Sequence, residues 1–318
     1  MIVRLKTHAL FLIALAALLV GAIASADVSS NPVEGYAAVP GGKLYYASYG
    51  KDSGVPIIMV NGGPGLDSGY LLPQMLELAK DHKITFYDQR GSGKSQGFNI
   101  DAQTITMPNY VADLEALRKQ LGYDKFILIG HSWGGLLAFN YAFAHTEHVK
   151  AILVLDSAPA SAAGFNTFLK EYETRVPKVA KQMLEIKNST AFKNSDPQAM
   201  ADFLRVVFTV YFLKPELAQQ ISLHFNPDSA RNIFKIHELI SQNYFANYDI
   251  RPQLKTLQIP VLVLHGVNDI VPVATAKEVH SLVPNSKLVL FKNCDHLPYI
   301  EKPKEFFAAL NNYLKSLG

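Results

Sequence analysis

The sequence predicts an α/β protein, with a mostly parallel central sheet flanked by helices and interrupted once by a helical insertion. Three observations carry that expectation. Short β-branched apolar runs alternate with longer helix-like stretches. Several of the runs are apolar at consecutive positions, as parallel strands buried on both faces require. The alternation also stops between residues 161 and 245 and then resumes.

The first element is not part of that fold. Residues 1–26 are basic at Arg4 and Lys6, uncharged from Ala9 to Ala24, and end in Ala24-Ser25-Ala26. This is the three-part pattern of a secretory signal peptide, and the apolar stretch is shorter than the roughly 20 residues of a usual membrane span. Cleavage is expected after Ala26, delivering 292 of the 318 residues to the periplasm or the medium with no stable membrane insertion. The leader holds no Asp or Glu, so its loss takes the net charge from +3 to about +1. A surface so near neutrality gives no electrostatic basis for binding nucleic acid or anionic lipid. Cys294 is the only cysteine, which rules out an internal disulfide, and stability falls to a core drawn from a chain that is 49% hydrophobic.

Strands are predicted at "KLYYASYG" (43–50), "PIIMVNGG" (56–63), "ITFYD" (84–88), "FILIG" (126–130), "AILVLD" (151–156), "VLVLHG" (261–266) and "LVLF" (288–291). Helices are predicted over about 70–81, 108–121, 134–145, 273–283 and 303–316, with Pro108 and Pro303 in first-turn positions where a missing N–H costs nothing. Residues 27–160 and 246–318 then make one core. Residues 161–245 read as a helical cap rich in aromatic side chains, Phe165, Phe168, Tyr172, Phe208 and Tyr211 among them.

Chemistry is concentrated where strands end. "ILIGHSWGGLLAF" (128–140) runs an apolar strand through Gly-x-Ser-x-Gly into an apolar helix, a turn that lifts Ser132 above the sheet beside a helix N-terminus. A serine nucleophile needs a base, and His296 follows the last strand, at the sheet edge where open α/β folds bind ligands. The base needs an orienting carboxylate. Asp269, just after the strand at 261–266, supplies it in the order Ser, Asp, His; Asp295, adjacent to His296, is the rival. "VNGGPGLDS" (60–68) offers backbone N–H donors for an oxyanion, Gly63 pairing with Trp133, the residue after the serine. "YDQRGSGKS" (87–95) is not a phosphate loop, because Asp88 stands where the first glycine is required. His145 and His148 lack further ligands for a metal, and no cofactor is expected.

Together "NGGPG" (61–65), "DQRGSGKS" (88–95), "GHSWGG" (130–135), "HGVNDIVP" (265–272) and "DHLPYIEKP" (295–303) resemble the proline iminopeptidase family of α/β-hydrolase-fold serine peptidases. The resemblance implies an α/β-hydrolase core, a catalytic triad of Ser132, Asp269 and His296, oxyanion donors at Gly63 and Trp133, and a supporting loop through Asp88, Arg90 and Ser95. The chain departs from the family pattern at three places. Asn61 stands for the usual His, Ile270 follows the acid where several members have Glu, and the cap has no tryptophan. Glu216 is the candidate substitute for binding a substrate amine. The expected activity is release of N-terminal residues, Pro favoured, from short peptides through an acyl-enzyme; the alternative is a carboxylesterase or amidase acting on small apolar substrates. A non-catalytic binding protein is the third class, and the presence of every triad member speaks against it.

Overall fold

The computed structural model describes residues 31–52 and 54–318. The predicted signal peptide, residues 1–26, lies outside the described residues. Strands β1 (Val33–Val39), β2 (Gly42–Tyr49), β3 (Ile57–Val60), β4 (Ile84–Tyr87), β5 (Phe126–His131), β6 (Val149–Leu155), β7 (Val261–Gly266) and β8 (Ser286–Phe291) form one sheet in the order β1-β2-β4-β3-β5-β6-β7-β8. Strands β3 to β8 run parallel, and the β1–β2 hairpin adds antiparallel pairing at one edge. The fold is an α/β-hydrolase fold.

Consecutive apolar residues make the central strands because both faces are covered. Ile58, Val60, Leu128, Ile152, Val154 and Val263 pack into the core on one face. Their neighbours Ile57, Met59, Ile129, Leu153, Leu155 and Leu264 pack into the core on the other. Strands β3, β4, β5 and β7 therefore bury every position, and a polar substitution at any of these apolar residues would leave an unpaired group in the core.

Three expectations shift. Strand β1 has no apolar signal in the sequence because its "VEGYAAV" is an edge pattern, with Ala37 its one buried residue. The strand expected at 56–63 stops at Val60, and residues 61–63 leave the sheet as loop. The helix expected over 70–81 is broken into a 3-10 turn Ser68–Tyr70, a single α-turn Leu72–Met75 and a second 3-10 stretch Leu76–Lys80. Asp67 caps the first of these, and Pro73 sits in the first turn of the second. The helices Met107–Leu121, Trp133–Ala144, Val273–Leu282 and Pro303–Lys315 match their expected spans within a few residues.

After β6 the chain leaves the sheet at an isolated bridge between Ser161 and Asp249 and returns at β7. In between it builds the helices Ala162–Arg175, Ala180–Asn188, Pro197–Phe208 and Pro227–Ile240, joined by shorter turns. These helices roof the carboxyl ends of the parallel strands, where loops after β3, β4, β5, β6, β7 and β8 converge. Among the described residues no helix is long and apolar enough to cross a membrane.

Candidate active site

Ser132 occupies the junction between β5 and the helix Trp133–Ala144 with φ 53° and ψ −119°. A non-glycine residue held there costs about 1–3 kcal/mol and persists only where its surroundings over-determine it. Here they do. Ser132 donates its N–H to Leu155 O at 2.9 Å, and its carbonyl accepts from Gly135 N (3.0 Å) and Ala158 N (3.1 Å). The helix start also lies so close to β3 that a Cβ on Gly134 would sit 2.0 Å from Val60 O. That contact explains the glycine after Trp133: any side chain would push the helix, and with it the serine, off the sheet.

His296 lies in the loop after β8, buried, with its Nδ1–H donating to Asp269 Oδ1 at 2.9 Å. Asp269 Oδ1 also accepts the Val271 N–H at 2.9 Å. Burial would raise the Asp269 carboxyl, but the neighbouring His296 and His265 rings, with the hydrogen bond from His296, outweigh it and hold it below the usual carboxylate range. With Nδ1 engaged, Nε2 is the ring nitrogen left for chemistry, and Ser132 and His296 line the same cavity. The rival Asp295 does not touch the histidine ring. It accepts Ile270 N–H at 2.9 Å through Oδ1 and pairs through Oδ2 with Arg175. Burial, then the neighbouring Asp269, push it up to about 6 against the pull of Arg175.

The oxyanion candidates converge as well. Gly63, at φ 49°, and Trp133, first residue of its helix, line one small pocket with Ser132 and His296. The first N–H groups of a helix have no intrahelical acceptor, so the Trp133 amide is free to meet a ligand. Behind them Asn61 pins its own loop by donating to Leu66 O at 2.8 Å, and Gln89 joins the two halves of the pocket. Gln89 Nε2 donates to Asn61 O at 2.8 Å, and Gln89 Oε1 accepts from the Trp133 indole N–H at 2.9 Å. Asp88 accepts Ser68 N–H and Lys94 N–H, Ser95 donates to Asp88 O, and Arg90 grips Asp113 with two nitrogens. That loop buttresses the pocket without entering it.

Sequence reasoning missed several partners. His131 stands inside the Gly-x-Ser-x-Gly motif, which does not mark it as functional. Its Nε2–H donates to His296 O at 3.1 Å, so Nδ1 accepts from Tyr70 O–H at 2.7 Å, and Tyr70 O accepts Gly62 N–H at 2.6 Å. Burial, then the nearby His296, lower His131 to about 3, so it stays neutral. One relay thereby fixes the Gly62–Gly63 loop relative to the His296 backbone. Arg175 is the second omission. From the inserted helices it donates to Asn268 O (2.9 Å) and Val210 O (3.1 Å) besides pairing with Asp295, stitching the roof to the loops of Asp269 and His296. No local pattern marks it. Glu216, by contrast, is not brought to the site. It is exposed on the 3-10 turn Pro215–Gln220 and does not line the cavity, because that turn faces away from the pocket.

The cavity over Ser132 has a volume of about 570 Å³. The roof supplies Phe165, Phe168, Tyr172, Phe203, Phe208 and Tyr211, and its polar lining includes Asn166, Lys187, His237 and Ser241. No Asp or Glu lines it among the described residues.

Residues 55–303 match the family model of the alpha/beta hydrolase fold. The chain is 30% identical over 289 residues to a proline iminopeptidase of Heyndrickxia coagulans, covering 89% of this chain and 99% of that protein. It belongs to the proline iminopeptidase family. A proline iminopeptidase of Saccharolobus solfataricus is 27% identical over 297 residues, covering 90% of this chain and 93% of the relative. Among solved structures, the esterase RhEst1 of Rhodococcus sp. ECU1013 superposes with a TM-score of 0.65 at 22% identity, over 91% of this chain and all of that one. The family membership makes this chain a hydrolase of that fold.

Proposed function

We propose that the protein is an exported serine hydrolase that works through an acyl-enzyme, acting on esters or amides of uncharged, apolar acids. Ser132 is the nucleophile. His296 Nε2 takes its proton as the hydroxyl attacks the substrate carbonyl, and Asp269 holds the ring in the Nδ1–H tautomer and stabilises the imidazolium. The oxyanion is met by the N–H groups of Gly63 and Trp133, each worth about 3–4 kcal/mol in the transition state. His296 then protonates the leaving group, and water activated by the same ring releases the acid. Export is supported by the basic, apolar, Ala-x-Ala start of the chain.

The observation that carries the substrate reading is the absence of any carboxylate from the described cavity lining. A protonated α-amine entering this apolar space would be desolvated with no anion to meet it, a penalty on the order of 3–5 kcal/mol. The second reading is release of N-terminal residues from short peptides, with Pro favoured. The named relatives and the shared loop motifs support it.

Two amides with one leaving group separate these readings: prolyl- and cyclopentanecarbonyl-7-amido-4-methylcoumarin, which differ at the ring amine. On residues 27–318, kcat/KM is expected to be at least about tenfold higher for the uncharged amide, as a desolvation cost of even 1.4 kcal/mol requires. A preference for the prolyl compound would establish the peptidase reading instead.

A further inference from the structure

Asp156, at the end of β6, is a second fully buried carboxyl directly behind Asp269, and the chemistry described so far leaves it without a task. Its Oδ1 accepts the Gly266 N–H at 2.8 Å. Its Oδ2 has no donor, and neither has Asp269 Oδ2. One atom from each of Asp156, His265 and Asp269 lies within 4.8 Å of the others. Two charged, fully buried carboxylates at that range would repel strongly, and each orphaned oxygen would carry a desolvation cost. A single proton between them removes both problems.

The donors decide where that proton rests. Asp269 Oδ1 already takes two N–H groups, from Val271 and from the His296 ring. Asp156 takes one, from Gly266. The other groups facing Asp156 do not favour its charge. His265 Nε2 donates to Val271 O at 2.9 Å and burial holds the ring neutral, leaving a bare Nδ1 3.7 Å from Asp156 Oδ1. Asp295 adds a like charge, and the nearby Cys294 and Tyr299 are buried and un-ionised, their pKa values pushed up by burial. Burial, then Asp269, push Asp156 well above the usual carboxylate range.

We propose that Asp156 is a positioning residue that carries a proton: its neutral carboxyl donates from Oδ2 to Asp269 Oδ2 while Oδ1 accepts the Gly266 N–H, fixing the carboxylate that orients His296. The inference rests on the reading of Asp269 as the orienting acid. A protonated Asp and an Asn side chain offer the same donor and acceptor, so Asp156→Asn should preserve the arrangement where Asp156→Ala destroys it.

The experiment compares wild type with both variants by kcat, KM and pH–rate profile on the coumarin amides, and by infrared difference spectroscopy of wild type against Asp156→Asn at pH 9. At that pH Asp67 and Asp295, raised to about 7 and about 6, are ionised and drop out of the carboxylic-acid region. The expected result is a protonated-carboxyl C=O band lost in Asp156→Asn. That variant should keep kcat within about threefold and hold its pH profile, while Asp156→Ala loses about ten- to a hundredfold in kcat at unchanged KM. Absence of the band overturns the proposal, and so does a kcat in the Asn variant as low as in the Ala variant, or an undiminished kcat in the Ala variant. Failure of the hydrolase reading itself would show separately, as wild-type protein that cleaves neither the amides nor a p-nitrophenyl ester, and the band would still report the proton.

Discussion

The loops at the carboxyl edge of the sheet and the helices that roof them are built on opposite principles. At the edge almost every polar atom is assigned: Asp269 to His296 and Val271, His131 to Tyr70 and His296, Gln89 to Asn61 and Trp133. The roof meets the same cavity mainly with rings, such as Phe165 stacked on Phe245 at 4.1 Å between centroids and Phe168 tilted against Tyr172 at 6.2 Å. Hydrogen bonds are directional and hold reacting atoms in place, whereas apolar packing is non-directional and selects by size and polarity. The difference teaches that bond-breaking chemistry and choice of substrate are held by separate parts of this molecule. On the proposed reading, the family's loops are kept while its amine recognition is lost.

That division can be broken by changing one region and reading the other. Phe165 lines both the main cavity and the small pocket beside Ser132. Phe165→Ala should raise KM for a medium-chain p-nitrophenyl ester by about 10–100-fold, the value of roughly 1.5–3 kcal/mol of lost apolar contact, and leave kcat on the acetyl ester within a few-fold. Equal losses on both esters would mean that the roof also positions the reacting groups.

A smaller effect sharpens the account of the edge. Asp67 caps the 3-10 turn Ser68–Tyr70, donated to by Gly69 N–H at 2.9 Å, and burial followed by the neighbouring Asp88 raise it to about 7, with Lys94 opposing. Between the unfolded value near 3.8 and about 7, the folded protein keeps a proton that the unfolded chain has released. Stability contributed by this group is therefore greatest at low pH and is lost as pH rises through that window. Asp67→Asn keeps the capping acceptor and removes the charge. It should raise stability by about 1–3 kcal/mol at pH 8 and by much less at pH 4, measured by urea denaturation. A gain of equal size at both pH values would place the cause elsewhere.

The sheet edge was the more legible region, for a physical reason. Strands buried on both faces announce themselves by consecutive apolar residues, and the points where those runs stop locate Ser132, Asp269, His296 and the glycine loop before Gly63 at one edge. Asp156 was visible in the same way, as the charged end of "AILVLD", but nothing local says that its oxygens meet those of Asp269. Asp295 and His296 are adjacent in sequence yet point to different partners, which loop geometry alone decides. The roof resisted reading because its short helices are placed by long-range packing. Glu216 is the sequence's candidate and lies outside the cavity, while Arg175, marked by no local pattern, clamps the loops of Asp269 and His296. The strand β1 escaped because an exposed edge needs no apolar period.

The most direct measurement is covalent labelling of residues 27–318 with a fluorophosphonate, read by intact and peptide mass spectrometry, for wild type, Ser132→Ala and His296→Ala. The account predicts one adduct per chain, on Ser132. It predicts none in Ser132→Ala and a labelling rate lowered by at least about a thousandfold in His296→Ala, as loss of the general base requires. An adduct on any other residue, or unchanged labelling without His296, would contradict it.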